Sequence, residues 1–303
     1  MVKKTVLIIG GNGFIGSNLC HYLVKKNFNV IATYQKKKIF IKNVKFLKLD
    51  LSNPMKIKKQ LGNLKFKYVI NCSGYINHEN ILGDGKNVLY NHFINLLNLV
   101  DFIKKKNLTK FINLGSSDEY GSQKSPQKEN IRENPRTIYS FAKTSSAHFL
   151  QMLNESIKLP TLTLRLFLVY GPRQSKKRLI PYIINRALNN EKFKIYGGNQ
   201  VKDFCYIDDV CRAIFLSLNN KKSNGKILNI GSGKNIKIKI LVNKILKVIK
   251  KGYPQYINKR YRKSENIKQW ANINEAKKIL NWKPLIKIED GINEIIKKNE
   301  NIN

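Results

Sequence analysis

The 303-residue sequence describes an α/β protein with a parallel central sheet. Three observations point there. Short apolar, β-branched runs alternate with amphipathic stretches. The first run, TVLIIG, leads straight into a glycine-rich turn, GGNGFIG at Gly10–Gly16. No repeat and no linker long enough to part independent domains interrupts the pattern. Strands alternating with helices make a parallel sheet.

Candidate strands are Thr5–Ile9, Val30–Thr33, Lys45–Leu49, Tyr68–Cys72, Lys110–Leu114, Thr161–Leu166 and Ile227–Ile230. Helical patterns lie between them, notably Asn87–Lys105 and Thr137–Ser156. The first strand reads as buried on both faces. SNLCHYLVKKN after the glycine turn is a helix with Leu19, Tyr22 and Leu23 on one side. In that setting Gly10 permits the tight turn, Gly13 lets backbone approach a pyrophosphate, and Gly16 allows close helix–strand packing, with Phe14 and Ile15 opening the helix. The spacing is G-x-x-G-x-x-G, and the strand before and helix after it predict dinucleotide binding. A glycine-rich turn with no ligand is the alternative.

The end of the second strand carries cofactor information. An acid there would hold the ribose hydroxyls of NAD. The chain instead has Thr33, Tyr34 and Gln35, then Lys36, Lys37 and Lys38. The missing acid and the lysines suit a 2′-phosphate, so NADP (NADPH) is expected, with NAD as the alternative. In a lysine-rich chain the missing acid is the better evidence.

Tyr139 and Lys143 in PRTIYSFAKTSS stand four apart, on one face of a helix. A lysine ammonium beside a phenol favours the phenolate, so the tyrosine can trade a proton nearer neutral pH. Hydride transfer at a carbonyl needs such a partner.

Composition sets limits. The net charge is +38, yet it is spread evenly along the chain, and lysine supplies 48 of the 57 basic residues. Nucleic-acid readers favour arginine's fork, so no specific nucleic-acid partner is expected. The field would still favour anionic substrates. Cys20, Cys72, Cys205 and Cys211 show no metal spacing and read as reduced thiols of a cytoplasmic protein, and no metal is expected. No apolar run approaches membrane-spanning length, and no signal peptide precedes the first strand.

Several segments together resemble the extended short-chain dehydrogenase/reductases that act on nucleotide sugars, an NAD(P)-dependent epimerase/dehydratase family. They are GGNGFIG, FLKLDLSN, YVINCSGYIN, INLGSSDEYG, Tyr139-x-x-x-Lys143, LRLFLVYGPRQ, IYGGNQVKDFCYIDDV, ILNIGSG and AKKILNWKP, in order through nearly the whole chain. The resemblance implies a doubly wound parallel Rossmann sheet (residues 1–166 and 200–231) with a smaller C-terminal nucleotide-sugar-binding domain (167–199 and 232–303).

It also implies roles. Asp50, followed by Leu51, meets the adenine amino group. Cys72, Ser73 and Gly74 let the backbone approach the cofactor ribose, and Asn91 lies near the cofactor, unless it is a helix-surface asparagine. Ser116 is the catalytic hydroxyl beside Tyr139 and Lys143, with Ser117 as the neighbour left open. Asp118 and Glu119 occupy the loop in which 4,6-dehydratases carry acid–base groups; Glu119 is read as a solvent-facing carboxylate. The loop is most similar to GSSEEYG of reductases of GDP-4-keto-6-deoxy sugars. Arg178, Leu179 and the Lys194–Tyr196 segment resemble base-binding elements. Lys202 stands where an arginine usually meets the diphosphate, and Leu168 where an asparagine often contacts the sugar nucleotide. Arg262 is a second phosphate contact or a surface charge. DFCYIDD, at Asp203–Asp209, joins a strand to a helix that Asp208 or Asp209 would cap.

A family dimer interface pairs two helices from each chain. Here Phe93, Leu96, Leu97, Leu99 and Val100 on one helix, and Phe141, Phe149 and Met152 on the other, exceed one core-facing stripe. A homodimer is expected; burial within one subunit is the alternative. The leading functional expectation is a nucleotide-sugar oxidoreductase that reduces a 4-keto(-6-deoxy) sugar at C4. A 4-epimerase or 4,6-dehydratase with retained cofactor is the near alternative. A non-catalytic dinucleotide-sensing or RNA-binding relative is the alternative of another class.

Overall fold

The protein is described by a computed structural model, which covers residues 3–76, 81–258 and 266–300. β1 (Thr5–Ile9) leads through the glycine turn into α1 (Phe14–Lys25). β2 (Asn29–Tyr34), β3 (Val44–Lys48), α2 (Pro54–Leu61) and β4 (Tyr68–Asn71) follow. The next helical stretch is kinked at Gly83 within Ile81–Gly85, continues as α3 (Lys86–Leu89) and a wide, π-type turn at Tyr90–Ile94, and ends as α4 (Asn95–Ile103). β5 (Lys110–Ser116), a tight turn at Ser117–Tyr120, α5 (Ile138–Ile157) and β6 (Thr161–Leu166) complete the first half.

Beyond it come β7 (Leu168–Tyr170), α6 (Leu179–Leu188), β8 (Lys192–Tyr196), β9 (Val201–Lys202) and β10 (Phe204–Tyr206). Then come α7 (Ile207–Ser217), β11 (Lys226–Ile230), β12 (Ile236–Lys237), α8 (Ile238–Ile249) and β13 (Tyr253–Ile257). The chain closes with β14 (Lys268–Gln269), α9 (Asn274–Leu280) and α10 (Ile288–Glu300).

The main sheet has seven parallel strands in the order β11-β6-β5-β4-β1-β2-β3. Winding reverses between β1 and β4, so their carboxyl ends open a crevice, the place where doubly wound sheets bind ligands. Side chains alternate across the sheet. In β1, Val6 and Ile8 enter one apolar layer, and Leu7 and Ile9 the other. Burial on both faces explains the continuous apolar runs.

The expected strands all form, with ends displaced by no more than two residues. The later segments make smaller sheets: β8 with β13, β7 with β10, and β9 between β12 and β14. One expectation on this side fails. The residue preceding α7, Tyr206, is its N-cap and gives no side-chain cap. Asp209 faces away from that role: its carboxylate accepts the backbone N–H groups of Leu285 and Ile286 and pairs with Arg212. It ties the C-terminal segment down, beside the buried Trp282, which donates to the Asp209 carbonyl.

Among the described residues no helix is long and apolar enough to cross a membrane. The four thiols are all free.

Candidate active site

The glycine turn is held from the second strand. Gly10 N–H donates to Thr33 Oγ1 at 3.1 Å and Gly11 N–H to the Thr33 carbonyl at 2.8 Å. Gly10 has φ +74°, and a Cβ there would sit 3.0 Å from the Ser73 backbone. A Cβ on Gly16 would meet the Gly10 carbonyl oxygen at 2.2 Å. Both positions therefore need glycine, and the backbone stays bare where α1 begins.

A cleft of about 720 Å³ opens here, lined by Gly10, Gly13, Thr33, Lys36, Leu51, Cys72, Ser73, Gly74 and Asn91 among others. Its volume, its bare helix N-terminus and its place at the sheet's switch point fit a dinucleotide. Phe14 instead lines an adjoining cavity of about 310 Å³ with His21 and Arg173, and Ile15 packs against the core. Asp50 does not line the cleft. Its Oδ1 accepts the Ser52 hydroxyl at 2.7 Å and the Ser52 N–H at 3.0 Å, and these bonds hold its carboxyl below the usual range. Asn91 spends its amide on the Asn87 carbonyl, although it does line the cleft.

Ser116 ends β5, and Tyr139 and Lys143 lie on the first turns of α5. Thr137 and Ser140 fix that helix start through a reciprocal cap. Tyr139 is 5% exposed. Burial pushes its phenol well above the ordinary value, and the charge of Asp118 adds to this. A hydrogen bond with Ser116 and the charge of Arg178 pull the other way. Lys143 donates to the Leu114 carbonyl at 2.8 Å, and burial lowers its pKa to about 8 against the opposing charge of Glu119. Its ammonium is thus directed at the end of β5, whereas the sequence spacing placed it against the phenol.

Glu119 overturns its expectation. It is fully buried, not solvent-facing. Oε1 accepts the Ser116 N–H at 2.6 Å; Oε2 receives Arg165 Nε at 2.9 Å and Nη2 at 2.7 Å. Arg165, also fully buried, reaches Glu133 at 2.7 Å and lies over the Tyr120 ring at 4.3 Å. The sequence signal was Arg165 itself. A charge inside the apolar strand TLTLRL must find a partner.

On the substrate side, Asp118 is half-buried and Ser117 is buried, with its carbonyl accepting Gln269 Nε2 at 2.9 Å. Arg178 is exposed just before α6, and Leu179 begins that helix. Lys202 Nζ donates to the Asn266 carbonyl. Leu168 is partly exposed on β7. Arg262 lies outside the described residues. Sequence reasoning missed His92, a buried imidazole whose ring meets that of Tyr139 edge to face, with centroids 5.0 Å apart.

A model of the NAD-dependent epimerase/dehydratase family matches residues 6–231. The chain belongs to this family of enzymes. Within the NAD-dependent epimerases and dehydratases, it is 28% identical to a UDP-glucuronate 4-epimerase of Thermodesulfobacterium geofontis, over 96% of this chain and 94% of that protein. A dTDP-D-glucose 4,6-dehydratase of Dictyostelium discoideum is 29% identical, over 81% of this chain and 62% of the relative. Among solved structures, the UDP-N-acetylglucosamine 4-epimerase of Methanobrevibacter ruminantium, in complex with UDP-N-acetylmuramic acid, superposes with a TM-score of 0.87 at 26% identity and covers all of both chains.

Proposed function

We propose that this epimerase/dehydratase family member is a nucleotide-sugar 4-epimerase that keeps its dinucleotide through turnover. The observation that carries the reading is the commitment of Glu119 to Arg165 and Ser116. A 4,6-dehydratase must remove a proton at C5 and expel the C6 hydroxyl, which asks for an acid and a base beyond the tyrosine. Glu119 is withheld from that work, and the charges of Asp118 and Glu119 both hold the Tyr139 phenol up. An epimerase needs no such pair. The 4-epimerase relatives support the same choice.

When bound, the nicotinamide dinucleotide supplies reversible two-electron chemistry at C4. Tyr139 takes the proton of the C4 hydroxyl and returns it to the same oxygen after the ketone has presented its other face. Ser116 hydrogen-bonds that oxygen and orients it. Lys143, on the same helix face, offers its ammonium to the ribose hydroxyls. Gly10, Gly13 and the start of α1 receive the pyrophosphate. Arg178 and Leu179 lie towards the nucleotide base, Lys202 supplies positive charge to the diphosphate, and residues 167–199 and 232–303 form the lobe that covers the sugar nucleotide. Lys36 on the cleft wall, with no acid at the end of β2, favours NADP over NAD.

The 4-ketoreductase reading stays as the second, on the likeness of the Ser116–Gly121 loop and the same acid-free strand end. One assay separates the two. Purified enzyme is given UDP-, dTDP-, GDP- and CDP-linked 4-hydroxy sugars without added cofactor, and C4 configuration is followed by NMR. Epimerisation of one of them is expected. NADPH consumption with a 4-keto sugar, and no epimerisation, would replace the proposal with the reductase.

A further inference from the structure

His92 sits inside the wide Tyr90–Ile94 turn and is 6% exposed. Turns of this kind gather at functional sites because they displace a side chain from regular helical spacing. Three surfaces meet the imidazole. Its Nε2 lies 2.7 Å from the Tyr75 carbonyl and 3.4 Å from the Tyr75 nitrogen; the carbonyl is the nearer and can only accept, which assigns the proton to Nε2. Its ring meets Tyr139 at 86°. Its Cε1 edge lies against Gly74, where a Cβ would come within 2.2 Å; Gly74, at φ +116°, leaves that space.

Nδ1, left as an acceptor, has no hydrogen-bond partner among the described residues. Burial and the Lys143 charge hold the ring neutral, with its pKa down to about 3. Ser146 Oγ, from α5, donates to the His92 carbonyl at 3.1 Å and fixes the turn against the catalytic helix. A buried imidazole with one nitrogen unserved is an uneconomical way to fill space. The contacts it does make join two parts of the site. Gly74 and Tyr75 line the dinucleotide cleft, and Tyr139 is the proton-transfer group.

We infer that His92 is a positioning residue with two separable contacts, an Nε2–H that clamps the Cys72–Tyr75 wall of the cleft and an edge-to-face ring contact that sets the angle of Tyr139. The clamp governs dinucleotide retention; the ring governs proton transfer. This rests on reading the cleft as the dinucleotide site.

Two variants divide the contacts. His92→Phe keeps a ring and loses the donor. His92→Gln keeps an amide donor within reach of the Tyr75 carbonyl and loses the ring. Binding of NAD, NADP and their reduced forms is titrated by fluorescence, without sugar substrate. His92→Phe should weaken dinucleotide binding about tenfold, on the scale of one lost buried hydrogen bond, with turnover at saturating cofactor within about threefold of the parent. His92→Gln should bind within about threefold of the parent, with turnover down about tenfold and the basic limb of its pH profile displaced.

Parent-like binding by His92→Phe overturns the proposal, as does an equal loss of binding and turnover in both variants. Should either variant fail to fold, nitrogen–proton correlation spectra of the unaltered enzyme decide. An Nε2–H tautomer is expected at His92, and an Nδ1–H tautomer sinks the clamp. If the unaltered enzyme binds no dinucleotide at all, the functional reading fails instead.

Discussion

Tyr139 is pulled in two directions, by burial that favours the neutral phenol and by Ser116 and Arg178, which favour the phenolate. Burial outweighs the opposing pulls, so the phenol is held neutral and trades its proton only where a substrate oxygen replaces the lost solvation. Tyr139→Phe should therefore cost about 10²-fold or more in kcat while dinucleotide titration stays unchanged; full turnover by the variant would remove Tyr139 from the mechanism. His92 gives a second expectation, on stability. Its pKa falls from an ordinary 6.5 to about 3 in the fold, first through burial and then through the Lys143 charge. The unfolded chain thus binds this proton at higher pH than the native one, so stability is lost as pH falls from 6.5 towards 3. At ~1.4 kcal/mol per unit, the loss at pH 5 is roughly 2 kcal/mol. Denaturation at pH 7 and pH 5 should show His92→Phe losing about that much less than the parent enzyme. Equal losses would mean that His92 does not titrate across this window.

The turn between β5 and α5 shows what can be read from sequence and what cannot. Ser116 is reached only through the resemblance of the GSSDEYG loop, with Ser117 left open, whereas the shared helix face of Tyr139 and Lys143 follows from their spacing. Glu119 is not legible. An acid before Tyr120-Gly121 looks like surface, and its partner Arg165 lies on the neighbouring strand, 46 residues on. The main strands other than edge strand β3 are legible because they are buried on both faces. The short strands β9, β12 and β14, of two residues each, are fixed by pairing rather than by pattern. α2 buries only Ile57 and Leu61, too little for a periodic signal. The Arg165–Glu119 pair predicts an asymmetry. Arg165→Met leaves Glu119 as a buried carboxylate without its cation, at about 3–5 kcal/mol of stability. Adding Glu119→Leu removes that stranded charge, so the double variant should be more stable than Arg165→Met alone. It should still lose activity, because Ser116 N–H then lacks its acceptor. Urea titrations of Arg165→Met, Glu119→Leu and the double variant test this; additive losses would show that the two side chains are not coupled.

Across the assembled chain, the net charge of +38 and the outer face of α4 and α5 oppose each other. Leu96, Leu99 and Val100 are absorbed by the subunit's own core, which removes part of the apolar excess seen in the sequence. What remains outside is narrower. Tyr90, Phe141 and Met152 are 50%, 51% and 47% exposed, beside the edge-to-face pair of Phe93 and Phe149. Phe141, Ser145, Phe149 and Met152 follow at four, four and three residues along α5, so they share one side of the helix. A second copy packing the same side against it would cover these residues with a self-complementary surface. Repulsion between two such cationic chains works against that contact and is screened over ~8 Å at physiological ionic strength. The enzyme should therefore be a dimer at micromolar concentration in physiological salt, and should dissociate as salt is withdrawn. Phe141→Lys with Met152→Lys should give a monomer that still binds dinucleotide, since neither side chain lines the cleft. Light scattering across a salt series decides it. A parent enzyme that is monomeric at every salt concentration would leave the α4–α5 face without this partner.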